Sequence, residues 1–599
     1  MGKNDMKYNK IYTLFLLMGL MAFAIEAGAQ NLDPTVEVNK AYEGKLMEVH
    51  KPYIEMAVPD SVLRFDLDFD YSVSESPYKG AYEFSPYTMH MKPAPTMRDS
   101  REFYFKAGAG YQLHPEADII WSPSFKVPLK MSIYGTHRSY FGSYWSMAEP
   151  VYDEPAVIGR LEKVDDGNRS WAGYDMVNKG GVKGQYDWTK GLFRFNAGYI
   201  GIGQKEGTLH KALRSYNSFY VDLGNASKRY EYDNFSYDVN ASYRYLSDTR
   251  DHTKAGVRHV EENEFGVNAG FTYILPNSDG VVVEVGTDVS STSGMLYGGV
   301  GNVYVAPEYV MDRGRWHFGL GVRVSKVFRT HFESNMYGHH EQIIYPDINI
   351  EFAAIPDAMK LYLDLGGGNR IMNYSSLVSR NRWTYSEYGR GIWNILDVSE
   401  ERLSAIMGLK GRIGAHFSYA FKGGYVNYGN APLDAVVLNH EIGQPDEYLP
   451  AVGYSSYDKA FAGLEWLLDL ECLRFDGNVE YTYAWNLPVA SAAGLFLPAS
   501  VSGDVAVEYN WNKRIFAGAS CRFISARNGQ VALAADGDVS VAAAKIPGYA
   551  DLGLDFEYVM NKSLSFWLKG GNLLNMTVQE SLLYAEKGPY FTMGICLKL

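Results

Sequence analysis

The chain has 599 residues, of which 15% are aromatic and 21% charged, with 47 Tyr, 60 Gly and a formal net charge of -13. The acidic balance excludes nucleic acid as a partner, and three scattered cysteines, Cys472, Cys521 and Cys596, imply no disulfide framework. Beyond residue 25 no apolar run reaches the roughly 18 residues that a membrane-spanning helix needs, which excludes a helical membrane protein.

The chain opens with Lys3, Lys7 and Lys10, then "IYTLFLLMGLMAFAI" over 11 to 25, then Ala27-Gly28-Ala29. A basic start, an apolar stretch too short to span and a small-residue cleavage site read as a secretory signal over residues 1–29. Residues 30–100 differ in kind. Seven of the 23 prolines fall there and only "LRFDLDFDY", 63 to 71, has the pattern of a strand. That proline load predicts an extended segment with no core of its own, periplasmic or inserted into a lumen. Asp66, Asp68 and Asp70 have calcium-loop spacing, but the glycine and distal glutamate of such a loop are missing and a half-exposed strand explains them.

From residue 101 to 599 one alternating segment follows another. In "LFRFNAGY" Phe193 and Phe195 oppose Arg194 and Asn196, and in "RWHFGLGVRVS" Trp316, Phe318, Leu320, Val322 and Val324 oppose His317 and Arg323. "LRFDGNVEYTYAW" sets Leu473, Phe475, Val479, Tyr481 and Tyr483 against Arg474, Asp476 and Glu480, and "DLGLDFEY" sets Leu554, Phe556 and Tyr558 against Asp555 and Glu557. A period of two with one apolar and one polar face is that of a pleated strand. The connections alternate between tight turns, such as Trp188 to Gly191, Met311 to Gly314 and Trp511 to Lys513, and long stretches near 142–171, 328–340, 368–400, 428–455, 526–546 and 572–587. Short turns on one side and long loops on the other are the signature of an outer-membrane barrel. The expected fold is therefore all-β, a closed antiparallel transmembrane β-barrel of about 22 strands with both ends of the chain periplasmic. Pro307 and Pro346 fall inside two of these strands, where each removes a ladder bond, so a bulge is expected at each.

The chain ends on "GPYFTMGICLKL", with Phe591, Met593, Ile595, Leu597 and Leu599 on one face. An unpaired strand of this kind would be an aggregation-prone edge, so it is expected to close the barrel against the strand beginning near Phe103 and to face lipid. Together with "SLSFWLKGGNLLN", this ending resembles the last two strands of TonB-dependent receptors, in an Asn-Leu-apolar-Asn turn, here Asn572 to Asn575, and a Gly-Pro-led final strand, here Gly588-Pro589. The resemblance covers the barrel and implies passage of a solute or polymer across the outer membrane. Family receptors carry a plug domain of well over a hundred residues, and residues 30–100 are too few for one. They also carry a short strand that docks on TonB. Thr35, Val36, Glu37 and Val38 match it in part, interrupted by Pro34, and an ordinary extended segment explains them as well.

The polar faces nominate a lumen wall comprising Arg194, Arg323, Asp364, Arg474, Asp476, Glu480, Asp504, Glu508, Asp555 and Glu557, of mixed sign with an acidic excess. His331, Glu333, His339, His340 and Glu341 gather in one long connection and include good metal ligands, though polar loops produce such groups by chance. No G-x-S-x-G or H-E-x-x-H occurs, so neither catalysis nor a cofactor is expected. Expected partners are outer-membrane lipid and, during biogenesis, the barrel-assembly machinery. A barrel of about 22 strands is roughly 40 Å across and needs a filling, from residues 30–100, infolded loops or another protein. A second reading is a barrel that transports nothing and scaffolds surface lipoproteins or another outer-membrane complex.

Overall fold

A computed structural model describes residues 102–599, except 112, 146–156, 159–169, 206–212, 229–233, 253–255, 295–297, 331–341, 357, 385–395, 440–446, 488–494, 536–537 and 583. The expected signal over residues 1–29, the 30–100 segment with Thr35 to Val38, and the His331 to Glu341 group lie outside these residues.

Twenty-two strands form one antiparallel sheet that closes on itself, from Phe103–Gly110 round to Tyr590–Lys598. The closing pair runs in register from Tyr104 opposite Lys598 to Gly110 opposite Thr592. Phe103 and Leu599 extend it by exchanging backbone hydrogen bonds of 2.9 and 2.8 Å. At this seam Gly108 sits opposite Gly594, and a Cβ on Gly594 would collide with the Ala107 carbonyl. The room is taken by the buried Trp567 ring, whose Nε1 donates to the Ile595 carbonyl at 3.3 Å while Lys106 Nζ lies 4.4 Å above the ring.

The alternating segments become strands as the period of two requires. "LRFDGNVEYTYAW" is the strand Leu473–Trp485 from end to end, and the other three lie within Gly191–Lys205, Trp316–Thr330 and Tyr549–Val559 apart from Arg315, which belongs to the preceding turn. The tight turns read from the sequence, among them Trp188 to Lys190, Gly314 and Asn512 to Arg514, lie at the end of the barrel that also holds Phe103 and Leu599, and the long connections lie at the other, together with two short ones, after His252 and after Gly294. At one tight turn Asn512 and Lys513 take φ of 53° and 56°, the twist that joins two strands without splaying them. Asn572 and Asn575 also take positive φ, 47° and 52°. This gives the Asn-Leu-Leu-Asn motif its physical basis, since Asn tolerates that conformation best after Gly. The Asn572 side chain then closes the turn, accepting from Met576 N at 3.0 Å and donating to its carbonyl at 2.9 Å.

Three expectations need correction. Neither proline produces a bulge: Pro307 lies in a two-pair gap across from Val322 with the same register on both sides, and Pro346 pairs with the other side of Val322 in an unbroken ladder. At Pro307 the sheet omits ladder pairs rather than shifting, which leaves every side chain on its face. The stretch 428–455 is not a loop. It is the long-loop half of a long hairpin, Phe417–Asn439 with Glu447–Asp469, whose pairing resumes at Ala431 after a register shift. Finally, the chain is not free of helix, because the connection after the strand Met359–Met372 contains the helix Tyr374–Arg380.

Candidate functional site

That helix forms for local reasons. The Asn373 side chain caps it, accepting from Ser376 N at 2.9 Å, a bond worth about 1 kcal/mol. Tyr374, Leu377 and Val378, spaced i, i+3 and i+4, make one buried face, and Arg380 supplies a cation to the last turn. The buried face packs against Tyr216, Leu246 and Val260 on three neighbouring strands and against Val452, about eight strands further round the barrel. The helix and the residues after it therefore cross the lumen.

Polar anchors fix the crossing segment on both sides. On the first side Arg214 and Asp248 form a buried pair, with Nε and Nη2 reaching the carboxylate at 2.6–3.1 Å, and Tyr374 donates its hydroxyl to Asp248 at 2.5 Å. Arg214 donates onward to the Arg382 carbonyl, and Arg250 to that of Thr384. Glu262 accepts from the backbone N–H of Tyr374 at 2.6 Å and of Ser375 at 3.1 Å, satisfying two donors that a helix start leaves open. On the second side Arg380 pairs with Asp434 at 3.1 Å, Asn381 donates to Ser581, and Trp383 donates to Glu586 at 3.2 Å. Arg382 bridges the two sides, pairing with both Asp175 and Glu586. Burial works against the charge on Arg380, but Asp434 outweighs it and holds the guanidinium pKa above its ordinary value. Burial raises the Tyr374 hydroxyl well out of the titrating range, so it stays a donor.

Beneath the segment lies a cavity of about 420 Å³, lined on one wall by Glu264, Asp288 and Asn302 and on the other by Glu401, Tyr457 and Lys459. Near the long-loop end of the seam a second buried cluster closes the barrel. His114 stacks on Tyr590 at 4.6 Å and faces Lys587 Nζ at 2.6 Å, and burial brings Lys587 down to about 8 and His114 to about 3.

The residues nominated from sequence as lumen-lining all lie on the strand faces opposite the exposed apolar side chains. Arg194 pairs with Asp238 at 2.5 Å, Arg323 lies over the Tyr304 ring at 4.5 Å, and Asp364 accepts from Asn349. Arg474 pairs with Asp476 at 3.0 Å, Glu480 with Lys459 at 3.2 Å, and Glu557 accepts from Ser565 at 2.6 Å. Asp504 lies across from Arg522, Glu508 from Arg474 and Asp555 from Gly518. They are spread along the wall and make no single site. On the closing strand Phe591, Met593 and Ile595 are exposed, as is Leu599, with Leu597 partly so. The crossing segment and its anchors were missed. The signal was there in "NYSSLVSR", where an Asn cap precedes apolar residues at helical rather than alternating spacing.

No family model and no curated protein sequence matches the chain. Solved structures do. The FrpB iron transporter from Neisseria meningitidis aligns with a TM-score of 0.59 at 11% identity, covering 83% of this chain and 81% of that one. The copper transporter OprC gives 0.55 at 12%, covering 83% and 80%. The siderophore receptor PiuA from Acinetobacter baumannii gives 0.56 at 10%, covering 83% and 81%. The fold is that of a TonB-dependent receptor barrel. The resemblance carried by the last two strands thus extends around the whole barrel, and at these identities it is one of fold.

Proposed function

We propose that this chain is an outer-membrane barrel, without catalytic activity, that passes a small polar solute through a lumen obstructed by its own residues 373–384. The observation that carries this reading is the crossing segment. A barrel roughly 40 Å wide would breach the permeability barrier if left open, and here one connection spans it and is tied to strands on both sides. The anchors are ion pairs and hydrogen bonds with few apolar contacts beyond Tyr374, Leu377 and Val378, so the segment can leave without unfolding the wall. In this reading residues 1–29 direct export, both chain ends face the periplasm, and residues 30–100 enter or cap the periplasmic mouth. Contact with TonB through Thr35 to Val38 is a further element of the proposal. Flux into vesicles carrying the purified barrel tests passage against the scaffold reading.

Orientation has its own test. In a background with the three native cysteines replaced by serine, cysteines at Leu113 and Ser500, on the long-loop end, should react with an impermeant reagent on intact cells. Cysteines at Thr189 and Asn512, on the short-turn end, should react only after permeabilisation. The mirror-image pattern would invert the topology, and equal labelling of all four would refute the membrane placement.

A further inference from the structure

The cavity under the crossing segment is unevenly matched in charge. Its bases are engaged: Arg323 faces Glu284 at 3.8 Å, Arg380 pairs with Asp434 at 3.1 Å, Lys459 with Glu480 at 3.2 Å, and Arg370 is engaged as well. Three of its acceptors are not, or only in part. Among the described residues no hydrogen bond or ion pair engages Asp288, which lies midway along the strand Gly280–Gly294. The neighbouring Glu264 is engaged only in part: Arg244 faces it at 3.9 Å and Asn373 hydrogen bonds to it, while its buried Oε2 accepts no hydrogen bond. The third acceptor is independent of the acids. Asn369, 6% exposed, spends its Nδ2 on Ser325 Oγ at 3.3 Å and leaves its buried Oδ1 without a partner.

Buried polar atoms are nearly always satisfied, and each exception calls for a missing group. A carboxylate and an amide oxygen that lack donors, beside a second carboxylate only partly paired, call for a cation rich in N–H. A metal ion is the poorer fit, because no three His, Cys, Asp or Glu side chains among the described residues converge to hold one. The volume, about 420 Å³, also lies in the range of small-molecule sites rather than single-ion sites. We infer that this chamber is a binding site for a small organic cation bearing primary ammonium or guanidinium groups, with Asp288 and Glu264 as counter-charges and Asn369 Oδ1 as an orienting acceptor. The inference rests on the passage reading, for which it names the solute class.

Calorimetric titration of the purified full chain in detergent, with spermidine as probe, tests it without measuring flux. Spermidine should bind, while aspartate, sucrose and magnesium chloride should not. Asp288→Asn should weaken binding at least about tenfold, whereas Asp187→Asn, at a distant turn, should leave it unchanged. Asn369→Asp, which adds a third carboxylate, should tighten it and serves as a second variant should Asp288→Asn fail to fold. No binding of spermidine to the wild type, equal binding to Asp288→Asn, or displacement of spermidine by magnesium would overturn the inference. A protein that binds spermidine as described and passes no solute refutes passage alone, and one that passes solutes and ignores spermidine refutes this inference alone.

Discussion

Replacing residues 374–384 by a Gly-Ser linker of equal length should raise the single-channel conductance of the purified protein several-fold, with the barrel still assembled. The wall does not depend on the segment, since all 22 strands pair with their neighbours without it. The lumen does depend on it, because Tyr374, Arg380, Arg382 and Trp383 hold this stretch between strands on both sides of the opening. A milder change should act in the same direction. Asp248→Ala removes the counter-charge of the buried Arg214 and the acceptor of Tyr374, and leaving a buried charge unpaired costs about 3–5 kcal/mol. Docking of the segment bears that cost, so longer and more frequent openings are expected in planar-bilayer recordings. Unchanged conductance in the linker variant would move the seal elsewhere, with residues 30–100 as the next candidate.

The seam should be as sensitive as the segment, but in assembly rather than conduction. Met593→Asp with Ile595→Asp should abolish the folded barrel, because both side chains are exposed on the apolar face midway along the closing strand and a charge there costs up to a few kcal/mol near the bilayer midplane. Gly594→Val should fail for a different reason. Its side chain would run into the Ala107 carbonyl and the Gly108 backbone, and the closing pair cannot separate without reopening the edges that closure removes. Both variants should lose the heat-modifiable band of folded barrels on gels and vanish from the outer-membrane fraction. Normal levels of either would mean that closure does not run through Tyr590–Lys598 as described.

Much of the barrel was legible in the sequence because its wall is built from a local rule. The alternation that places Phe475 and Arg474 on opposite faces repeats in strand after strand, and tight turns such as Trp511 to Lys513 mark where the chain reverses. Pro307 misled because a missing donor admits two remedies, a bulge or an omitted pair, and the choice is made in the pairing with Val322 on the next strand, not by the pattern of the strand itself. The stretch 428–455 misled because polar and small residues such as Asn430 and Gly429 break the alternation although pairing resumes after them. The site was the least legible part. Arg214, Asp248, Glu262, Arg382 and Glu586 come from distant segments and meet only when one connection turns inward. Nothing in the local pattern of a loop states whether it points into solvent or into the lumen. The cap and helical spacing of 373–380 could have marked the segment as structured, though not as crossing.

The central claim is that solute passes when the crossing segment moves, and one measurement bears on it directly. In a chain without native cysteines, Asn381→Cys and Ser581→Cys place thiols at two side chains that now hydrogen bond across the segment's anchor. A short bifunctional methanethiosulfonate should bridge them, and uptake of a radiolabelled small solute into vesicles carrying this variant should stop, then return on reduction. Uptake that is the same bridged and reduced would contradict a moving segment, and absence of uptake in both states, with stoichiometric protein partners retained through mild-detergent purification, would favour the scaffold.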